Sequence, residues 1–157
     1  MELGYRLTIT DENGGAIFLS SMREDCQEDG RVGEIVKAFY KTNTIDDNVL
    51  SKSNDSRAEI IVKGRITEFN KEETCKLASW SIETDSNLIY RTVKLVTYTS
   101  TDKNAKMLRS YEIEQMFVLD YTEEFNNSSD DNEASSGNFE LYVVQKKGNH
   151  SQYIETE

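Results

Sequence analysis

Proline is absent from this chain of 157 residues, and it holds only two cysteines and one histidine. Proline cannot donate to a sheet ladder, so its absence suits a chain that uses most of its N–H groups in strands, although a proline-poor genome explains it equally well. Cys26 and Cys75 are too few and too far apart for a disulfide framework or a zinc site. We therefore expect two reduced thiols, no metal and no cofactor.

Positive charge and long apolar runs are also scarce. The chain has 18 Lys and Arg residues and 29 Asp and Glu residues, which gives a formal net charge of −11. Binding to nucleic acids or anionic membranes draws on clustered basic residues, so neither is an expected partner. No stretch approaches the roughly 18 apolar residues of a membrane span, and "MELGYRLTIT" lacks a secretory signal pattern. We expect cytoplasmic synthesis, no signal peptide and no membrane insertion.

The composition favours a small β protein made of a single domain, residues 1–157. A chain of this length buries about two thirds of its unfolded surface. Only 36% of the residues are apolar and 30% are charged, so the core must be economical, as in strands that bury one face.

Alternating apolar and polar residues predict most of the strands. The clearest run places Ala58, Ile60 and Val62 on one face and Glu59 and Lys63 on the other. A hairpin is predicted over residues 5–19, and further strands at 32–40, 58–66, 89–98, 107–125 and 138–145. The apolar residues of 32–40 fit a short helix equally well.

The most unusual strand is "RSYEIEQMFVLDYTEEF", residues 109–125, which carries β-formers on both faces together with five carboxylates. Its alternation changes phase between Gln115 and Phe117, which a β-bulge would produce. We expect it to begin near Met107 and to run into an acidic loop at 126–138. The tail at 148–157 is expected to be mobile.

One short helix is predicted between the strands. Asn70 can cap its start, Glu72 and Glu73 favour its positive end, and Leu77 and Trp80 share a face, with Thr74 or Cys75 behind them. The fold class is therefore mainly β, an antiparallel barrel or sandwich with one helix packed on it.

Residues 41–57 form a long polar connection between two strands. Its isolated apolar residues, Ile45, Val49 and Leu50, suggest contact with another subunit, because long loops in compact domains are usually functional or disordered.

The sequence holds no recognisable catalytic constellation. His150 lies in a polar segment, no glycine-rich phosphate loop is present, and "DDNEASSG" does not match a calcium loop. Glu123 and Glu124 would point to opposite faces of a strand and could not share a site. We expect no enzyme activity and rank a hydrolase last.

The charges are unevenly distributed along the chain. Residues 110–145 hold nine acids and no base, whereas residues 57–109 hold ten bases and seven acids. Complementary patches of this kind select orientation in a head-to-tail assembly, which predicts subunit-interface roles for Asp120, Glu123 and Glu124. A solvated loop at 126–138 explains part of the contrast by itself.

The passage from Val32 to Val144 resembles the tube-forming proteins of contractile injection systems, the Hcp-like proteins of type VI secretion and the related phage tail tube proteins. The resemblance rests on the order of elements, on a short helix ending near Trp80, on "IYRTVKLVTYTS", and above all on the aromatic and apolar residues before the Glu-Phe at 124–125.

The resemblance implies a β-barrel with one flanking helix and a homo-oligomeric ring, commonly a hexamer. It also implies that the rings stack into a hollow tube that delivers effectors. The implied partners are sheath, baseplate or spike proteins, and the protein itself would be exported through the apparatus. Residues 41–57 would reach an adjacent subunit, with Ile45, Val49 and Leu50 as anchors. The alternative is a monomeric acidic β-barrel that binds a ligand or a cationic partner protein.

Overall fold

The chain folds into a single antiparallel sheet with one long helix packed on it, which confirms the predicted fold class. The computed structural model describes residues 2–26, 34–44, 56–128, 136–148 and 150–157. Within them the strands are β1 (Gly4–Thr10), β2 (Ala16–Ser20), β3 (Ile35–Thr44), β4 (Ser56–Arg65), β5 (Arg91–Tyr98), β6 (Met107–Asn126), β7 (Ser136–Gln145) and β8 (Gln152–Glu155). The helices are α1 (Lys71–Ser81) and α2 (Ser86–Ile89), and a 3-10 turn covers Arg23–Asp25.

The strands pair in the order β2-β1-β5-β6-β7-β4-β3, and β8 adds to β6. Every pair is antiparallel. The alternation predicted for β4 is present, since Ala58, Ile60 and Val62 are all fully buried. They join a core that β1, β2, β5, β6, β7 and α1 also supply. Polar residues on the opposite pleat face outward.

Strand β6 changes partners along its length. Its first half pairs with β5 on one edge and β8 on the other, and its second half pairs with β7. The predicted bulge is confirmed: the β5 register shifts between Ile113 and Met116, and Gln115 adopts a φ of 59°. A second irregularity falls between Val118 and Asp120.

Helix α1 covers the core much as predicted. Thr74, Leu77 and Trp80 are buried, whereas Cys75 is exposed. The predicted cap residue, Asn70, stands at the N-cap position, but its side chain makes no capping hydrogen bond to the helix. Instead it accepts from the Thr67 N–H at 2.7 Å and donates to the Arg65 carbonyl at 2.7 Å, which fixes the turn between β4 and α1.

Several boundaries differ from those expected from the sequence. β3 runs over 35–44 rather than 32–40, so 45–55 is the part of the predicted connection that separates it from β4. Residues 86–89, assigned in part to a strand, form α2. The sheet also extends into the predicted acidic loop, to Asn126 and again from Ser136. In the tail expected to be mobile, residues 152–155 form β8.

Candidate assembly interface

Strands β3, β4, β7 and the second half of β6 form one section of the sheet. At each side of this section, the outer strand has one edge that pairs with no other described strand. In this section β3 pairs only with β4 within the described chain, β4 pairs with β7, and β7 pairs with the second half of β6. Strand β5 leaves β6 at Met116, so residues 117–126 have β7 on one side and no described strand on the other. We call β3 the basic edge and residues 117–126 of β6 the acidic edge. Unpaired strand edges invite pairing with another chain.

The remaining outer strand, β2, is protected by a side chain from helix α1. The Phe18 N–H donates to Glu73 Oε2 at 2.9 Å, so a carboxylate occupies a donor that a neighbouring strand would otherwise use. Lys76 holds the same carboxylate, with Nζ to Oε1 at 2.8 Å. β2 is also short, at five residues against ten for β3. β3 is thus the more available of the two outer strands.

The pairing register shows which side chains share the outward face of this section. Residues directly opposite one another in an antiparallel pair lie on one face. Rows of partners therefore run across all four strands, for example Phe39, Ile61, Tyr142 and Asp120. The outward face carries Lys37 and Lys41 from β3, Glu59, Lys63 and Arg65 from β4, Asn138, Glu140 and Tyr142 from β7, and Asp120, Thr122 and Glu124 from β6.

Charge on this face changes sign from one edge to the other. The basic edge contributes Lys37 and Lys41 and no acid, and both side chains are exposed. The acidic edge contributes Asp120 and Glu124 and no base, again exposed. The face thus has lysines at one margin and carboxylates at the other, where a neighbouring copy would meet them.

Between the margins, polar groups find partners within the chain. Lys63 Nζ lies 3.8 Å from Glu140 Oε2, and the Tyr142 hydroxyl donates to Glu59 Oε1 at 2.8 Å. That hydrogen bond, with some burial, raises the pKa of Tyr142. These contacts occupy Lys63, Glu140 and Glu59 of the inner strands, whereas Arg57 Nε on β4 is buried without a hydrogen-bond partner among the described residues.

Glu123 lies on the opposite face from its two predicted companions. It pairs with Phe139, on the core side where α1 packs, and its Oε1 accepts from the Tyr121 hydroxyl at 2.7 Å. Burial raises the pKa of Tyr121, and the bond to Glu123 raises it further. The separation of Glu123 from Glu124 agrees with the alternation argued from the sequence. Glu123 is exposed and bonds Tyr121 of its own strand, and Asp120 and Glu124 face outward.

The predicted anchors Ile45, Val49 and Leu50 lie outside the described residues. The segment that carries them connects Thr44 to Ser56, which are opposite one another in the β3–β4 ladder. The segment is therefore attached directly to the basic edge. Its role at a subunit contact stays a prediction.

The sequence did not indicate a role for Gln145, which lies at the end of β7 with 1% of its surface exposed. Its side chain accepts from the Ala58 N–H at 3.3 Å and from Gln152 Nε2 at 2.7 Å, and it donates to the Glu114 carbonyl at 3.0 Å. A polar residue ending the apolar run "FELYVVQ" is the one signal that could have indicated it, because buried amides need partners.

Nothing in the described residues assembles into a reaction centre. His150 Nε2 lies 3.2 Å from the Lys147 carbonyl oxygen. No group of three or more His, Cys, Asp and Glu side chains in the described part is placed to hold a metal ion. Neither described helix has the length and apolar character needed to cross a bilayer.

No protein-family model and no curated protein matches the sequence. Three solved structures are similar to the fold. Hcp1 from E. coli, EAEC 042 pathovar, solved as a double mutant, is 13% identical over 98% of each chain, with a TM-score of 0.47. Hcp1 from Salmonella typhimurium is 11% identical over 96% of this chain and 94% of that one, with a TM-score of 0.47.

The third similar structure is the baseplate of the anti-feeding prophage, determined by cryo-electron microscopy with 6-fold symmetry imposed. It is 4% identical over 95% of this chain and 91% of that one, with a TM-score of 0.45. Two of the three structures carry the name of the family that the sequence resembles.

Proposed function

We propose that this protein is a structural protein whose copies join edge to edge into rings, and that these rings stack into the inner tube of a contractile injection system. One observation carries the proposal: a single section of sheet ends in two unpaired strand edges that bear opposite charges on the same face. Two neighbouring copies of the chain fit these edges, one at each side, because the basic edge of one copy meets the acidic edge of the next.

The charges favour a head-to-tail contact over a two-fold one. Two basic edges meeting about a two-fold axis would set Lys37 and Lys41 against the same lysines, and two acidic edges would oppose Asp120 and Glu124 in the same way. Like charges directly opposite one another destabilise a strand pair. Joining the basic edge of one copy to the acidic edge of the next pairs opposite charges, and a heterologous contact of this kind closes a ring when its rotation closes.

The strand directions also suit a ring. Three antiparallel pairings separate β3 from β6, so these two strands run in opposite directions within one copy. Rotation about an axis that lies along the strands leaves their directions unchanged. β3 of one copy would therefore run antiparallel to β6 of the next, and the outward faces of all copies would stay on one side of the wall. The wall would be a continuous antiparallel sheet with four strands from each copy.

The remaining details of the proposal come from the sequence resemblance. It predicts six copies in a ring, stacking of rings into a hollow tube, and contacts with sheath, baseplate or spike proteins and with effectors. Residues 45–55 extend the contact, because they leave the sheet at the end of the basic edge. Whether the system is a secretion apparatus or a phage-like particle is a separate question.

The proposal is tested by exchanging charges between the edges. Light scattering and negative-stain microscopy of the purified chain should show rings or short tubes. Changing Lys37 and Lys41 to Glu should weaken association by at least about tenfold, equivalent to about 1.4 kcal/mol. Changing Asp120 and Glu124 to Lys should do the same. Each double variant alone carries the same charge on both edges, but mixing the two should restore rings of alternating copies, because every β3 edge then meets a β6 edge of opposite charge. Placing all four changes in one chain should restore rings as well.

Lys94→Glu is the matched control, because this lysine is exposed on β5, outside the four-strand section. It should leave association unchanged, although it shifts the net charge in the same direction as the Lys37 and Lys41 variant, by half as much. A chain that stays a single particle at high concentration would end the tube proposal and leave the acidic binding module as the better account. Rings that survive unchanged in each double variant alone, with only one edge reversed, would show that the contact lies elsewhere.

A further inference from the structure

The last strand of the chain, β8, lies on β6 and reaches across to β3. Its backbone sets Gln152 opposite Ile113. The Gln152 side chain then bonds in two directions: Nε2 donates to Gln145 Oε1 at 2.7 Å, and Oε1 accepts from the Tyr40 hydroxyl at 3.2 Å. One side chain therefore connects the C-terminal strand with the end of β7 and with the basic edge.

The Gln145 side chain, which bonds Gln152, is itself held in a fixed position. It is almost fully buried, and backbone groups hold both ends of its amide, the Ala58 N–H at 3.3 Å and the Glu114 carbonyl at 3.0 Å. Because leaving any of these buried groups unpaired is costly, the amide has little freedom to turn. Gln145 thus presents its oxygen to Gln152 in a defined position.

On the β3 side, Tyr40 pairs with Ile60 in the β3–β4 ladder, and its side chain makes further contacts outside that ladder. Its ring stacks on Tyr111 of β6 with centroids 4.2 Å apart, and its hydroxyl bonds Gln152. Tyr111 is in turn opposite Ile154 of β8. These side-chain contacts therefore link β3 to β6 and to β8, the strand that lies on β6.

β8 itself is lightly attached. It has four residues, and Tyr153 and Ile154 are 52% and 46% exposed. Beyond the strand, Thr156 Oγ1 donates to the Leu108 carbonyl at 2.9 Å, and the Met107 N–H donates to Glu157 Oε2 at 2.7 Å, both at exposed positions. Segments with few buried apolar contacts and exposed hydrogen bonds open at low free energy.

We infer that β8 is a removable clasp that fixes β3 against the body of the sheet. With β8 in place, Gln152 holds Tyr40 and the basic edge is ordered for pairing. With β8 released, Tyr40 loses this partner and the edge of β6 at residues 110–113 is uncovered. The effect on β3 does not depend on assembly; the expected effect on ring formation rests on the proposed function.

Hydrogen exchange read by mass spectrometry tests the clasp, at a protein concentration where light scattering shows single copies. Exchange is compared between the full chain and a chain ending at Ser151. In the shortened chain, the peptide covering 35–44 should exchange about tenfold faster, while peptides covering β1 and β5 keep their rates. Gln152→Ala should accelerate the same peptide by about threefold, because it removes the side-chain links but keeps the strand.

Tyr153→Ala is the matched control, since it alters an exposed residue of the same strand and should leave 35–44 unchanged. Unchanged exchange of 35–44 in both the shortened chain and Gln152→Ala overturns the clasp. Equal acceleration across β1, β3 and β5 also overturns it, since that is general destabilisation. Microscopy of the same proteins at high concentration separates the two proposals: accelerated β3 exchange in a protein that forms no rings even there supports the clasp and contradicts the tube.

Discussion

Tyr121 couples one side chain of β6 to the helix that covers the core. Its hydroxyl donates to Glu123, and it lies among the partly buried residues packed on the core. Burial and this bond raise the pKa of Tyr121 above the ordinary 10.0. A raised tyrosine pKa means that the folded state holds the proton more tightly than the unfolded state. The stabilisation is complete below pH 10 and is lost progressively as the pH rises through the raised value.

We therefore expect the free energy of unfolding to fall more steeply above pH 10 in the native protein than in Tyr121→Phe, which has no proton to lose at this position. Urea denaturation followed by tryptophan fluorescence at pH 8 and pH 10.5 measures the difference. Burial also raises the pKa of Tyr5, so Tyr5→Phe is a suitable comparison for a tyrosine without a carboxylate partner. Equal slopes in the native protein and Tyr121→Phe would contradict the coupling.

Helix α1 is attached to the sheet chiefly through Trp80, which is 2% exposed. The indole N–H donates to the Ile89 carbonyl at 2.9 Å, and the Arg91 guanidinium lies over the ring, 5.2 Å from its centroid. Trp80→Ala removes a large buried side chain and leaves that carbonyl without its partner. It should lower the free energy of unfolding by about 3 to 5 kcal/mol.

Chemical denaturation followed by circular dichroism measures this loss. Ile82→Ala is the control at the end of the same helix, since Ile82 is 79% exposed and its change should stay within about 0.5 kcal/mol. A loss for Trp80→Ala no larger than that of the control would show that the helix is not held by this contact.

At the level of elements, the sequence predicted what depends on a repeating pattern. The period of two in β4, the spacing of Leu77 and Trp80, and the phase shift at Gln115 all correspond to features of the structure. The position of β8 was not predictable in this way, because it depends on hydrogen bonds between Gln145 and residues that are distant in sequence. Glu123 and Glu124 were separable by alternation, but which of them faces α1 follows only from the register with β7.

At the scale of the whole molecule, the described sheet combines one protected outer strand with two open edges of opposite charge, and this asymmetry would give the proposed assembly a direction. A closed barrel would have no edge to offer, and an exposed edge without charges would pair with many partners. In the proposed ring, lysines on one margin and carboxylates on the other would restrict pairing to copies in one orientation. The uneven charge noticed along the sequence thus corresponds to positions across the sheet, although only Asp120 and Glu124 of the three predicted acids lie on its outward face.

The segment 45–55 provides the last test of this arrangement. It continues from the basic edge at Thr44 and returns at Ser56, so its apolar residues Ile45 and Leu50 are tethered beside the strand that meets the next copy. Changing both to Asp should abolish rings in negative-stain images and leave the denaturation midpoint nearly unchanged, because a subunit anchor contributes to association and not to the fold of one copy. Ser51→Asp and Ser53→Asp together form the control, adding the same charge to the same segment without removing an apolar side chain. Rings that persist in the Ile45 and Leu50 variant would show that the charged edges alone hold the copies together.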